Sequence, residues 1–522
     1  MQNASRRNGP RLSRRAVVKA GALSFAVPGV GLIDQLAITP VRQVLAATTP
    51  PDIQFDIGNF IAPAQNINGI PFRFGPVFTG FATLRLNRTP SHNDQAVLSN
   101  ALNTIEAVFP FSPSGVFTFV AYGVPYFNRL PAALVSARVP RLRSNTARFA
   151  LEEAVPSPTD VSPANPGITK KTFNVPVTIE RNDVLMTFRS DSTDILNNIL
   201  NWLFSGTNNL GGNFIASPAF NGLFTLQTAR LMFQQQGLPR QVANQNALPF
   251  AARIRDTSPM WMGFADQQVD AAGPAAITTF VGNASARVTT AVAGDYFDNG
   301  SIQHLSHVIL DMAQWLATPD QDPPDGEPYT ERVQYMFRSN QKNTADGLPN
   351  DGFTDQFTNG GGPAFINNVF QGADSAAREA ADAGGVFGPN NATKDATFGG
   401  GNRIGHIAGL QRSGRTADGR PIHIRNDGPG FDTLDVPAFQ DFPGGTSFAA
   451  GTTQFKLHFL VFVPTAEFFR AMRVNVAAQD LQAQFQGGDD DNGLERFITA
   501  TRRQNFLIPP RRHRAFPLLE LT

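Results

Sequence analysis

The sequence contains no cysteine among its 522 residues. This absence excludes disulfide bonds, iron–sulfur clusters, thiolate-bound zinc and cysteine nucleophiles. Metal chemistry must therefore use carboxylates or histidines, and only seven histidines are present: His92, His304, His307, His406, His423, His458 and His513. Tyrosine and tryptophan are also scarce, with 5 and 3 residues against 44 phenylalanines, which indicates well-filled interiors with few polar aromatic groups.

The chain also lacks a large net charge. The formal net charge of +1 gives no electrostatic reason to bind nucleic acid or an anionic membrane surface. We find no Ser–His–Asp signature, no phosphate-binding loop and no dinucleotide-binding fingerprint. No segment has the uninterrupted apolar length that a membrane-spanning helix needs, so we expect no stable membrane anchor.

The N-terminal segment has the features of an export signal. Residues 13–19 read Ser-Arg-Arg-Ala-Val-Val-Lys, a twin-arginine pattern, and a weakly apolar stretch follows over residues 20–38. Residues 44–46, Val-Leu-Ala, resemble a small-residue cleavage site. We therefore predict a signal peptide over residues 1–46, and export of the folded chain by the twin-arginine translocase to a periplasm or the cell exterior. The alternative is a disordered basic tail.

Residues 47–74 are rich in proline and predict a linker or arm. Residues 75–274 then predict an N-terminal half. Apolar alternation and helical spacing, with a capping box at Ser91 and Asp94, predict a β-α-β-β-α-β order there. The predicted elements are a strand from Gly80, a helix from Ser91, a strand at Val116–Tyr122, a strand at Val184–Arg189 and a helix at Thr193–Phe204.

Residues 275–522 predict a second half of the same type, interrupted by a loop-rich insertion over residues 318–402. Its predicted elements are a helix at Ser301–Leu316, a strand around Phe455–Val461, helices at Thr465–Arg473 and Leu494–Ala500, and a strand at Phe506–Ile508. The predicted fold class is therefore α+β, with two ferredoxin-like halves.

The stretch most suggestive of chemistry covers residues 402–431. His406 precedes an apolar segment, a Gly- and Arg-rich turn occupies residues 412–420, and Arg425 follows. A single histidine near arginines is ordinarily explained by a solvated loop. The residues alone therefore favour a solvated loop over a functional site.

With its order of motifs, the sequence resembles the dye-decolorizing peroxidase family. In that family a histidine supplies the proximal haem ligand, and a distal arginine follows after a Gly-rich turn. Here His406 and Arg425 are separated by 19 positions. The family's Gly-x-x-Asp-Gly motif has its counterpart in Gly263-Phe264-Ala265-Asp266-Gln267, where Gln267 replaces the final glycine.

Three further stretches agree with this resemblance, and one of them is the predicted strand Phe455–Val463, which resembles a late sheet strand of the family. Gly300-Ser301 resembles the start of a central helix of the family, and residues 506–510, Phe-Leu-Ile-Pro-Pro, resemble its terminal strand. The resemblance extends over most of residues 75–515.

The resemblance implies a dimeric α+β barrel-like fold that binds haem b and uses hydrogen peroxide to oxidise an organic or dye-like reducing substrate, with a homo-oligomer as a further expectation. It assigns His406 as the axial iron ligand and Asp266 and Arg425 as catalytic residues. Arg403 and Gly263 are assigned to cofactor binding. Two alternatives stay open: a haem-binding or iron-handling protein with vestigial activity, which Gln267 favours, and a secreted binding protein without haem.

Several other residues have two interpretations. On the predicted helix His304, His307 and Asp311 share a face on which a small metal site is conceivable, although a polar helix face needs no metal and is the preferred interpretation. His423, one residue off the predicted Arg425 face, is the second candidate for the axial ligand. His458 is expected on an exposed or cleft-lining strand face. The acidic run at Asp489–Asp491 is expected in a solvated loop, with a cation site or a proximal-histidine partner as alternatives.

Aromatic and terminal residues complete the set of candidates. Trp261, Trp315 or Tyr296 would relay electrons in a peroxidase, although core packing is the simpler role for each. Arg511, Arg512 and Arg514 are expected in a solvated tail, with haem propionate contact as the alternative.

Overall fold

The computed structural model describes residues 49–63, 65–67, 70–72, 75–170, 172–248, 251–254, 258–262, 275–282, 288–316, 423–435, 450–477, 479 and 493–522. An N-terminal arm, residues 49–63, comes first. A short antiparallel hairpin then pairs strand β1 (Gln65–Ile67) with β2 (Ile70–Phe72).

The N-terminal half follows the predicted β-α-β-β-α-β order. Its elements are β3 (Phe78–Leu86), α1 (His92–Val108), β4 (Phe117–Gly123), α2 (Val124–Phe127), α3 (Ala132–Arg138), β5 (Thr178–Ile179), β6 (Val184–Ser190), α4 (Thr193–Phe204) and β7 (Phe224–Phe233). The four main strands lie antiparallel in the order β4-β6-β3-β7, the strand order of a ferredoxin-like sheet. Helix α1 begins at the predicted capping box, where the Asp94 carboxylate accepts a hydrogen bond of 2.7 Å from the Ser91 backbone amide.

The C-terminal half repeats the arrangement. After α5 (Leu238–Gln245), its elements are β8 (Ser301–Leu310), α6 (Met312–Leu316), β9 (Ile424–Arg425), β10 (Gly428–Asp432), β11 (Gln454–Val463), α7 (Ala466–Ala477) and β12 (Ile498–Ile508). The sheet order β10-β11-β8-β12 matches that of the first half. The predicted pair of ferredoxin-like halves is therefore confirmed.

The two halves form one continuous sheet because β12 pairs with β4. At the other end of the sheet β10 lies against β7, so the strands curve into a barrel. Short 3-10 helices complete the described chain: Gly58–Phe60, Phe220–Gly222, Ala251–Arg253, Ala275–Thr278, Gly493–Phe497, Arg511–His513 and Leu519–Leu521.

The N-terminal arm fills one end of the barrel. Phe55 stacks on Phe462 with ring centroids 4.1 Å apart, and Phe60 packs edge-on against Phe117. The buried Gln54 side chain donates to the Val120 and Pro509 carbonyl oxygens at 3.1 and 2.7 Å. The arm thus contributes apolar and hydrogen-bonding groups to the barrel interior.

The prediction of a helix at Ser301–Leu316 is wrong over most of this range. Strand β8 occupies Ser301–Leu310, and only α6 is helical. The same finding contradicts the expectation that Gly300-Ser301 opens a helix. Strand β8 lies between β11 and β12, and both of its faces are buried. A strand buried on both faces has no clear apolar–polar alternation, so local periodicity misassigned it.

Two further expectations near the C-terminus are wrong. The segment predicted as a helix at Leu494–Ala500 forms a 3-10 turn and then enters the long strand β12. The terminal arginines are not a solvated tail: Arg511 and Arg514 both pair with Glu106, and Arg512 pairs with Asp52 and Asp298.

None of the helices in the described ranges combines the length and apolar character required to cross a membrane.

Candidate functional site

The side chains of residues 423–432 alternate between the two faces of the C-terminal sheet. His423, Arg425 and Asp427 line a cavity on the helix-covered face of the sheet. The intervening residues point to the barrel interior, where Ile424 joins the apolar core. Because strand side chains alternate with a period of two, His423 and Arg425 share a face, and the expectation that His423 lies off that face is wrong.

The cavity lies between the C-terminal sheet and helix α7. Its empty volume, including the open space at its mouth, is about 1230 Å³. Most of its walls are apolar, and they are formed by Met260, Trp261, Met262, Val308, Leu310, Pro429, Leu457, Phe459, Phe469, Met472, Val476, Leu494, Ile498 and Ala500. A cavity with largely apolar walls and a limited set of polar groups is a usual form of a small-molecule site.

One edge of the cavity carries a buried ion pair. The Arg503 guanidinium donates to both Asp160 carboxylate oxygens, at 2.7 and 3.0 Å, and also to Ser306 Oγ at 2.8 Å. Burial alone would raise the pKa of Asp160, but the charge and hydrogen bonds of Arg503 lower it to about 2. This edge therefore keeps two fixed, opposite charges beside the apolar walls.

A second pair lies on the same edge. Arg473 donates to Glu495 at 2.8 Å, and the Thr159 hydroxyl donates to the same carboxylate. Burial favours the neutral form of Glu495, but the positive charges of Arg473 and Lys170 lower its pKa below the ordinary value. Both acidic groups on this edge are therefore ionised at neutral pH.

Residues 260–262 form another wall of the cavity, and hydrogen bonds from two tryptophan side chains hold this segment in place. The Trp261 indole donates to the Gly430 carbonyl oxygen at 3.1 Å, and the Trp315 indole donates to the Met262 carbonyl oxygen at 2.9 Å. Trp261 also packs edge-on against Phe455, with ring centroids 4.6 Å apart. Both tryptophans thus have packing roles, and Trp261 additionally lines the cavity.

The opposite face of the same sheet carries a buried polar cluster inside the barrel. His307 Nε2 and His458 Nε2 each lie 3.4 Å from an oxygen of Asp432. Burial lowers the pKa of His307 to about 4 and also lowers that of His458, while these histidines and Lys456 lower the pKa of Asp432. The expectation that His458 is exposed or lines a cleft is wrong, because its side chain is fully buried.

The proposed sharing of one face by His304 and His307 is also wrong. In strand β8, His304 points to the helix-covered side and stacks on Phe469, whereas His307 points into the barrel. Within the described ranges, no group of three or more histidine and acidic side chains is arranged to hold a metal ion.

Of the predicted site residues, Arg425 lies in the cavity. His406, Arg403, Gly263 and Asp266 lie outside the described residues, as do Gln267, the 318–402 insertion and Asp489–Asp491. Five further residues that were not predicted from the sequence line the cavity: Asp160, Arg503, Arg473, Glu495 and Asp427. Only Asp427 had a local signal, because it stands two positions after Arg425 in an extended segment.

A family model described as "Family of unknown function (DUF7405)" matches residues 77–510. The chain belongs to this family. The residues matched by the DUF7405 model therefore cover the strands of both ferredoxin-like halves and all described residues that line the cavity. Among curated proteins, none matches the chain.

Several solved structures are similar to this DUF7405 chain. One is a putative DyP-type peroxidase from Shewanella oneidensis, with 13% identity, 86% of this chain and 96% of that chain covered, and a TM-score of 0.43. Another is a dye-decolorizing peroxidase from Bacteroides thetaiotaomicron, with 12% identity, coverage of 88% and 97%, and a TM-score of 0.41. A third is the encapsulated DyP-type peroxidase from Mycobacterium smegmatis, with 14% identity, coverage of 88% and 98%, and a TM-score of 0.39.

Proposed function

We propose that this protein is an exported haem-dependent peroxidase that uses hydrogen peroxide to oxidise an organic or dye-like substrate. The observation that carries the proposal is the apolar cavity under α7, into which a guanidinium, Arg425, and an imidazole, His423, both project. Export by the twin-arginine translocase, a periplasmic or extracellular location and a homo-oligomeric state are parts of the same proposal.

The described residues fit haem b in their chemistry. The sheet and α7 present apolar surfaces to a flat macrocycle, while the ion pairs Asp160–Arg503 and Glu495–Arg473 supply a polar edge. Imidazole is the usual protein ligand of haem iron in peroxidases, and we propose that His406 would hold the iron, with Arg403 and Gly263 as further residues that would contact the cofactor. His423 is the alternative donor, because its side chain reaches the cavity wall.

Bound haem would supply the electrons that cleave the O–O bond of peroxide. Arg425 would bind peroxide and stabilise negative charge on the departing oxygen. A carboxylate has to accept a proton from one peroxide oxygen and return it to the other. The proposal gives this role to Asp266, which follows the cavity residue Met262 by four positions in the sequence, and Asp427 is a second carboxylate at the same cavity.

The alternative function is haem binding or iron handling with vestigial peroxidase activity. Gln267 favours it, because a glycine at that position would allow backbone conformations that glutamine disfavours. The two functions share the cavity and differ in the reaction with peroxide.

The test is an absorption spectrum of the purified chain, expressed with haem supply and then mixed with peroxide. A peroxidase shows a Soret band that shifts on mixing, whereas a haem carrier shows a band that does not respond. A folded sample without a Soret band contradicts both functions.

Single substitutions test which histidine binds the haem iron and which residues act on peroxide. Loss of the Soret band in His406→Ala, with haem retained in His423→Ala, supports His406 as the axial ligand; the reverse result transfers the role to His423. Arg425→Ala and Asp266→Ala are expected to keep haem and slow the reaction with peroxide by about a hundredfold or more. His513→Ala and Arg88→Ala, which change residues that do not line the cavity, are the controls.

A further inference from the structure

A second, more open cavity lies on the other side of helix α7. Its empty volume, including open solvent, is about 1520 Å³, and we call it the α7 groove. One wall comes from residues 148–168 and the other from α7. Its apolar lining residues are Ala154, Val155, Pro156, Pro158, Ala164, Pro166, Ile168, Ala466, Phe469 and Val474.

The α7 groove exposes apolar surface on a restrained backbone. Val155 and Val474, which come from its two walls, are 47% and 46% exposed, and they belong to the few large hydrophobic side chains that the described chain leaves this open. Prolines at positions 156, 158 and 166 fix φ along the loop wall. A groove of this kind needs little ordering when an apolar ligand binds.

A single layer of side chains separates the groove from the candidate haem cavity. Phe469 and Arg473 line both spaces. The His304 ring stacks on Phe469, with centroids 3.4 Å apart. It also hydrogen-bonds to Ser306 of the cavity at 2.6 Å and to Asn505 of the groove at 2.7 Å. A molecule in the groove therefore lies against the wall of the cavity.

The charges of the groove define what kind of molecule fits. Arg148 pairs with Glu152 and with Glu467, which links the two walls and occupies those carboxylates. Arg470 is exposed on α7 and, within the described chain, forms no ion pair. Glu153 is half-buried and also lines the groove, where its carboxyl oxygens are acceptors for a hydroxyl group. The groove thus offers a cation for an acidic group, a carboxyl for a hydroxyl and apolar surface for a ring.

We propose that the α7 groove binds the reducing substrate, and that this substrate is an aromatic compound carrying a hydroxyl group and, for full affinity, an acidic group. The assignment rests on the proposed peroxidase function for its biological meaning. The binding itself depends only on groove residues, and it is therefore measurable without haem.

The experiment measures binding of two probes, hydroxynaphthoate and naphthol, to the full chain purified without haem, by titration calorimetry. Val474→Arg blocks the apolar wall and is expected to weaken the neutral probe, naphthol, at least about tenfold, equivalent to about 1.4 kcal/mol. Arg470→Gln is expected to weaken hydroxynaphthoate by about threefold to tenfold and to leave naphthol unchanged. Val292→Arg is the matched control, because Val292 is 47% exposed and does not line the groove.

The assignment is overturned if wild type and Val474→Arg bind naphthol with equal affinity. It is also overturned if wild type binds neither probe. Failure of the peroxidase proposal looks different: the probes bind and respond to the groove substitutions, while the chain takes up no haem or its Soret band ignores peroxide. If peroxide reacts normally and the groove substitutions do not change probe binding, only the groove assignment fails.

Discussion

Arg503 and Asp160 lie 343 positions apart in the chain and form a doubly hydrogen-bonded ion pair at the buried edge of the cavity. The side chain of each is only 4% exposed. Such a pair joins the loop after α3 to the last long strand, so the cavity edge depends on both halves of the chain.

Removal of one partner is expected to destabilise the protein strongly. Asp160→Asn leaves the buried Arg503 charge without a counter-charge, which costs about 3–5 kcal/mol in the free energy of unfolding. Urea denaturation followed by circular dichroism measures this cost. Arg512→Gln, which breaks two ion pairs of a more exposed arginine, with Asp52 and Asp298, is the control and is expected to cost about 0–1 kcal/mol for each pair. Equal losses in both variants would show that burial does not set the strength of these pairs.

The same pair predicts an acid-dependent stability difference. The pKa of Asp160 is lowered from 3.8 to about 2 in the folded state, so its contribution is present above the unfolded pKa and disappears as pH falls toward the folded value. The difference in the free energy of unfolding between wild type and Asp160→Asn should therefore become smaller as the pH is lowered from about 5 to about 2. Denaturation curves at a series of pH values test this, and a difference that grows in acid contradicts it.

A second pH dependence is expected from His307. Burial lowers its folded-state pKa from 6.5 to about 4, so the unfolded chain binds a proton more readily. Stability should fall as pH decreases through this window, by at most about 1.4 kcal/mol per pH unit for this residue. His307→Gln removes that slope while keeping side-chain hydrogen-bonding capacity toward Thr501. An unchanged slope in the variant would mean that folding does not lower the pKa of His307.

Gly430 is expected to tolerate no side chain. A Cβ at this position would lie 2.4 Å from His458 Nε2 and 3.2 Å from the Leu231 carbonyl oxygen. Gly430→Ala therefore displaces the buried His458 ring and should cost about 1–3 kcal/mol. Gly222→Ala is the control, since a Cβ there meets no atom within 4 Å among the described residues. Thermal unfolding of the two variants gives the comparison, and similar midpoints would show that His458 moves freely.

The sequence by itself determined much of the N-terminal half. The capping box at Ser91 and Asp94, the alternation of β3 and the amphipathic spacing of α4 are short-range features, and the predicted elements are confirmed there. In the C-terminal half the alternating strand β11 and the helix after it are also confirmed. Helices α1 and α4 each bury one face, and in β3 and β11 the large apolar side chains concentrate on one of two buried faces, which leaves a periodic pattern in the sequence.

Only the tertiary structure decided β8, the start of β12 and the composition of the site. Strand β8 has partners on both sides that come from residues 454–463 and 498–508, and such distant pairing leaves no local pattern. Arg425 lines the same cavity as Arg503, Asp160 and Glu495, and the separation of these residues along the chain hides this arrangement. A side chain's neighbours across a curved sheet depend on strand order and register, and these are settled by the packing of the whole barrel.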